Sequence, residues 1–94
     1  MRKYEVMYII RPDVEQENLQ AIVDKFHGII SNGGEVTKQD VSGKRRLAYE
    51  INKLRDGYFV LVHFNATTEV VNELDRIMKI TDEVIRSLIV RDVA

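Results

Sequence analysis

The residues best suited to bind a ligand are three consecutive cations, Lys44, Arg45 and Arg46, in a chain whose formal net charge is -1. They belong to residues 38–55, which hold six cations and two anions, whereas residues 13–25 hold four anions and one cation. Arginine presents a planar set of donors that matches phosphate oxygens, so the triplet is typical of a contact with an anionic partner. Lysine and arginine also protect edge strands from sheet-to-sheet aggregation. The residues alone leave both interpretations open.

Residue types that carry catalysis or bind metals are sparse and poorly arranged. The chain has no cysteine, which excludes disulfides and thiolate sites, and its two histidines, His27 and His63, lie far apart in sequence. One falls in a predicted helix and the other in a predicted strand, so we interpret both as structural residues. The sequence shows no zinc-ligand spacing, no glycine-rich phosphate loop before a helix and no Ser-His-Asp set. We therefore predict no catalytic residues, no metal, no cofactor and no small-molecule substrate, and we do not expect an enzyme.

Length and composition predict one soluble domain that spans residues 1–94. Apolar residues make up 45% of the chain and charged residues 31%, which is ordinary for a globular protein. No apolar run approaches the ~18 residues of a membrane-spanning helix, so we expect no membrane partner. The lack of cysteine favours a reducing compartment, and we expect the protein in the cytoplasm.

The first half of the chain predicts a strand followed by an amphipathic helix. Residues 3–10 alternate with period two, and apolar residues from Leu19 to Ile30 recur at helical spacing. Asp13 is the predicted N-cap of this helix. Gly33 and Gly34 are predicted to end it, because glycine adopts the left-handed cap conformation without steric penalty.

The second half predicts two strands, a helix and a last strand. A long strand covers about 35–51 with a bulge or bend near Gly43, and an apolar central strand follows at 57–64. Thr67 or Thr68 can cap the second helix, and residues 84–93 form the last strand. The order βαββαβ predicts an α+β protein with the ferredoxin-like split βαβ fold, in which two helices cover one face of a four-stranded antiparallel sheet.

Both faces of this predicted sheet carry apolar residues, although two helices can cover only one. One parity of the first and third strands is the predicted core: Tyr4, Val6, Tyr8, Ile10, Val60, Val62 and Phe64. The opposite parity is then an exposed apolar patch: Met7, Ile9, Phe59 and Leu61. Contiguous exposed patches mark contact surfaces, so we predict that a protein partner covers this one. Scattered apolar residues are common on protein surfaces and are the alternative explanation.

Four segments in order carry a resemblance to a known family: "MRKYEVMYIIRP", "GKRRLAYEINK", "DGYFVLVHF" and "DEVIRSLIVR". Together they span nearly the whole chain and resemble the family of bacterial ribosomal protein S6 of the small subunit. The resemblance implies a ferredoxin-like fold and a structural, non-catalytic role in the ribosome, in the cytoplasm. It also implies binding to the central domain of small-subunit (16S) rRNA together with ribosomal protein S18, as a heterodimer.

Carried over by position, the resemblance implies RNA contacts by seven cations: Arg2, Lys3, Lys44, Arg45, Arg46, Lys53 and Arg86. The partner protein would use the open surface and edge of the sheet. Because the net charge is -1, we expect weak RNA binding by this chain alone, and salt-dependent binding through released counterions.

Two other functions remain open at this point. An RNA-recognition motif has the same order of elements and stacks bases on strand aromatics, and Phe59 could serve in that way. However, Met7 and Ile9 stand on the first strand where a stacking aromatic is needed. A small-molecule regulatory or acyl-phosphate-type enzyme domain would need a polar pocket or an anion-binding loop, and the sequence shows neither.

Overall fold

The computed structural model describes the backbone of residues 1–51 and 54–91 and the side chains of residues 1–41 and 56–91. The elements are β1 (Arg2–Ile10), α1 (Gln16–Ser31), β2 (Gly34–Ile51), β3 (Leu54–Ala66), α2 (Thr68–Ile80) and β4 (Val84–Arg91). The four strands form one sheet in the order β2-β3-β1-β4, and every neighbouring pair is antiparallel. This is the predicted ferredoxin-like split βαβ fold, with β2 and β4 as its two edges.

The core lies between the sheet and the two helices. The predicted core residues of β1 and β3 are at most 2% exposed: Val6, Tyr8, Ile10, Val60, Val62 and Phe64. Tyr4 is half buried and stacks on Phe64 with ring centroids 5.7 Å apart. The helices contribute the apolar residues that their periodicity predicted: Leu19, Ile22, Val23, Phe26, Ile30, Leu74 and Met78. The predicted parity of the core strands is therefore confirmed.

In the described part of the chain, one polar side-chain atom is buried in this core without a hydrogen-bond partner. Tyr8 is 1% exposed, and its ring packs edge-on against Phe26 with centroids 5.1 Å apart. Within the described part of the chain, its hydroxyl has no hydrogen-bond partner. Burial raises the pKa of Tyr8 well above its usual value, because the phenolate would be far from water.

The helix ends differ from the sequence prediction at α1 and agree with it at α2. Glu15, not Asp13, is the N-cap of α1, and Asp13 instead forms a 2.9 Å ion pair with Arg11. The prediction failed because a carboxylate near a helix start can bond a neighbouring cation as readily as a backbone amide. At α2 the Thr67 hydroxyl accepts a 3.4 Å hydrogen bond from the amide of Val70, so the predicted threonine cap is confirmed.

The glycines after α1 allow a close approach and do not form a left-handed cap. Asn32 ends the helix in right-handed conformation, with φ of -70°, and neither Gly33 nor Gly34 has φ in the left-handed region. A Cβ atom at Gly34 would collide with the backbone carbonyl oxygen of Asn65 on β3. The predicted cap conformation is therefore wrong, and glycine is needed here because β2 begins in direct contact with β3.

The edge strand β2 does not pair evenly with β3. The register shifts between Val36 and Lys38, again between Val41 and Lys44, and once more further along the strand. The second shift confirms the irregularity predicted near Gly43. Each shift changes which residues share a face with their neighbours on β3, because side chains alternate between the two faces of a strand.

Candidate nucleic-acid and partner interface

The predicted RNA-binding cations whose backbone the structure describes fall into two groups at opposite ends of the sheet. Arg2 and Lys3 are exposed at the start of β1, where Lys3 pairs with Asn65 near the end of β3. In the basic triplet (Lys44, Arg45 and Arg46), Arg45 pairs with Gly57 near the start of β3. The path along β3 from Gly57 to Asn65 is about 27 Å at about 3.4 Å per residue. The fold therefore separates cations that the sequence predicted as one set.

The basic triplet lies on an edge strand, as both of its interpretations require. The backbone of the triplet belongs to β2, which pairs with β3 alone in the described sheet. Its side chains lie outside the described part of the chain, and Lys53 lies outside the described residues altogether. Edge protection and phosphate contact both stay predictions for these residues.

Arg86 lies at the same end of the sheet as the triplet but on the opposite edge strand. It is exposed on β4 and pairs with Ile9 of β1, which in turn pairs with Phe59 of β3. Three strand spacings of about 4.8 Å separate β4 from β2, so Arg86 stands about 14 Å across the sheet from β2. Arg86 and the backbone of the triplet therefore lie at the same end of the sheet, on opposite edge strands.

The sheet face that points away from the helices, here called the open face, carries the predicted partner surface. Met7, Phe59 and Leu61 are half buried there, but Ile9 is only 3% exposed. The predicted exposure of Ile9 is therefore wrong. The reason is Gly57: a Cβ atom at this position would lie 2.5 Å from Cγ2 of Ile9, so the isoleucine fills the space that glycine leaves.

Two further apolar residues extend this surface and were missed by the sequence analysis. Leu88 and Val90 of β4 are 52% and 43% exposed, and they pair with Met7 and Glu5 of β1. Residues in register share a face, so both lie on the open face. Residues 88–90 are all apolar, so alternation could not show which face each one takes. The open-face apolar band is defined here as Met7, Phe59, Leu61, Leu88 and Val90.

The two histidines lie on different elements of the fold, His27 on α1 and His63 on β3. The Nδ1 atom of His27 lies 3.2 Å from Oε1 of Gln39 at an exposed position, and His63 is half buried on β3. Among the described residues, no group of three or more histidine or carboxylate side chains could hold a metal ion. In the same part of the chain, no helix is long and apolar enough to cross a membrane.

Comparisons with known proteins agree with this geometry. The family model described as ribosomal protein S6 matches residues 3–91. The chain is 53% identical to small ribosomal subunit protein bS6 of Desulforamulus reducens, with 98% of both chains covered. It is 50% identical to the protein of the same name from Carboxydothermus hydrogenoformans, with 98% of this chain and 97% of the relative covered.

A solved structure extends the likeness to three dimensions. The crystal structure of 30S ribosomal protein S6 from Thermotoga maritima superimposes with a TM-score of 0.91 at 32% identity, covering 97% of this chain and 87% of that one. The family match covers nearly the whole chain, and both curated relatives align with it over nearly their full lengths. The chain therefore belongs to the ribosomal protein S6 family of the small ribosomal subunit.

Proposed function

We propose that the chain binds the central domain of 16S rRNA as a heterodimer with ribosomal protein S18. The observation that carries the proposal is that apolar and cationic residues occupy separate parts of the chain's surface. An apolar band occupies the middle of the open face, and cations stand at both ends of the sheet. An apolar band of this kind suits a protein partner, whereas the cations suit RNA phosphates.

Membership of the S6 family supports the coarser part of the assignment. The chain is a protein of the small ribosomal subunit, so it lies in the ribosome and in the cytoplasm, as the sequence predicted. The family is one of structural ribosomal proteins and not of enzymes. RNA binding and a role in translation follow from the same membership.

Charge supports the need for a partner. With a formal net charge of -1, the chain supplies few cations to offset the phosphates of an RNA. Among the described cations, Arg11, Arg76 and Lys79 are already paired with carboxylates. A basic partner seated on the open-face apolar band would add the missing positive charge beside the cations of β1 and β4.

The proposed contacts divide by chemistry. The RNA side consists of Arg2, Lys3, Lys44, Arg45, Arg46, Lys53 and Arg86. The partner side is the open-face apolar band, to which Ile9 adds no surface because it is only 3% exposed. An RNA-recognition motif is less well supported, because β1 offers no aromatic side chain to the open face for stacking a base.

Binding measurements with purified components test the proposal. A central-domain rRNA fragment is titrated with this chain, with S18, and with an equimolar mixture of both. We expect the mixture to bind at least tenfold more tightly than either protein alone. The proposal fails if the mixture binds no better than S18 alone, or if this chain alone binds as tightly as the mixture. Gel filtration of the two proteins without RNA shows whether the heterodimer forms first.

A further inference from the structure

An extra residue in β2 brings Lys38 to the open face of the sheet. The register shifts between Val36 and Lys38, so Lys38 pairs with His63 and Thr37 has no register partner of its own on β3. Without this shift Lys38 would stand opposite Val62, on the side that faces the helices. The Thr37 hydroxyl donates a 3.0 Å hydrogen bond to the backbone carbonyl oxygen of His63. Bulges of this kind are frequent next to functional sites, where they redirect a side chain.

The redirected lysine borders a concave site at the end of the sheet away from the basic triplet. This pocket has a volume of about 400 Å³, and Lys3 of β1 and Lys38 of β2 flank His63 and Asn65 of β3 around it. Both lysines are exposed, and no ion pair among the described residues involves either of them. Two lysines, an asparagine and a histidine from three adjacent strands therefore line this pocket, together with Tyr4, Thr37 and Phe64.

Two carboxylates moderate the charge of this pocket. Glu5 pairs with His63, and Glu35 pairs with Asn65. Neither forms an ion pair with Lys3 or Lys38 within the described part of the chain. Nearby negative charge weakens the attraction for a free anion. The site is therefore better suited to a phosphate of an RNA that other contacts already hold nearby than to a free anion.

We propose that this pocket, which Lys3 and Lys38 flank across His63 and Asn65, binds a backbone phosphate of RNA. The inference rests on the proposed RNA-binding function and adds Lys38, His63 and Asn65 to the residues that perform it. Along β3, the pocket lies about 20–27 Å from the level of the basic triplet, at about 3.4 Å per residue. The protein then contacts RNA at both ends of its sheet and holds two separate stretches of backbone at a set distance.

Salt dependence of RNA binding tests the pocket. The variants are Lys38→Gln and Lys3→Gln, and the binding constant of the complex with S18 and the rRNA fragment is measured from 0.05 to 0.2 M salt. Losing one phosphate contact flattens the slope of log K against log salt by about 0.9. The affinity ratio of wild type to Lys38→Gln should then shrink about 3.5-fold across this fourfold salt range. Lys3→Gln should have an effect of similar size.

Two controls separate charge from structure. Lys38→Arg keeps the cation and should keep the wild-type slope. Lys25→Gln removes an exposed lysine of α1, outside the pocket, and should also leave the slope unchanged. Thermal melts of all variants should coincide with wild type, because both pocket lysines are exposed.

Three other outcomes would each contradict a different part of the proposal. Wild-type slopes for both Lys38→Gln and Lys3→Gln overturn the phosphate site while leaving the proposed function intact. If the wild-type protein with S18 does not bind the fragment at all, the proposed function itself fails. If Lys38→Gln weakens the complex with S18 when RNA is absent, the pocket binds an acidic segment of the partner, and the RNA assignment is wrong.

Discussion

Replacing Tyr8 with phenylalanine should stabilise the protein, although it removes a hydroxyl group that could form hydrogen bonds. The Tyr8 hydroxyl is buried and, in the described part of the chain, has no hydrogen-bond partner. A buried polar group in this condition costs about 1–3 kcal/mol. Phenylalanine keeps the ring and its edge-on contact with Phe26, so it removes the penalty without opening a large cavity. We expect the free energy of unfolding to rise by about 1 kcal/mol.

Chemical and thermal denaturation measure this change directly. For a domain of this size, about 1 kcal/mol corresponds to an increase of about 4–8 °C in Tm. Urea unfolding should show a higher midpoint with an unchanged slope. Tyr4→Phe is the matched control: Tyr4 is only half buried, so its replacement should change stability by no more than about 0.5 kcal/mol. If Tyr8→Phe lowers stability by more than that, the hydroxyl has a partner such as an internal water, and the reasoning is wrong.

The pH dependence of stability is a second test of the burial of Tyr8. Burial raises the pKa of Tyr8 in the folded state, whereas in the unfolded chain it titrates near the ordinary value of about 10. The unfolded state therefore releases its proton first, and the stability present below about pH 10 is lost as the pH rises above it. The loss attributable to Tyr8 is about 1.4 kcal/mol per pH unit. Tyr8→Phe should remove this part of the slope, and an identical slope in both proteins would contradict it.

Two further predictions concern the partner surface and the basic triplet. Leu88→Ser, at a residue 52% exposed, should leave urea stability within about 0.5 kcal/mol of wild type but weaken S18 binding by about 2 kcal/mol or ~30-fold in calorimetry. Val62→Ser, at a residue 2% exposed, should instead destabilise the isolated protein by about 2–4 kcal/mol; equal destabilisation by both changes would contradict the assignment of faces. Replacing Arg45 and Arg46 together with glutamine should flatten the salt dependence of RNA binding by about 0.9 per lost contact in filter-binding titrations. An unchanged slope would leave edge protection as the role of the triplet.

Features that depend on neighbours in the chain could be predicted from the sequence. The alternation of β1 and the helical spacing in α1 each mark one buried face, because a strand repeats every two residues and a helix every 3.6. Those periods were enough for the order of elements, the parity of the core and the fold class. The Thr67 cap and the irregularity near Gly43 are also local signals, and both were predicted correctly. The family resemblance, spread over four ordered segments, supplied the ribosomal assignment.

The candidate site depends on contacts between residues far apart in sequence, and only the tertiary structure decided it. Ile9 is buried because Gly57 of β3 leaves space beside it, and Lys38 reaches the open face because one extra residue shifts β2 against β3. Alternation cannot foresee either result, since a one-residue shift in register moves a side chain to the other face. The same pairing places Lys3 and the basic triplet at opposite ends of the sheet. The amino-acid order shows which residues carry charge, and strand register decides which of those charges can act together.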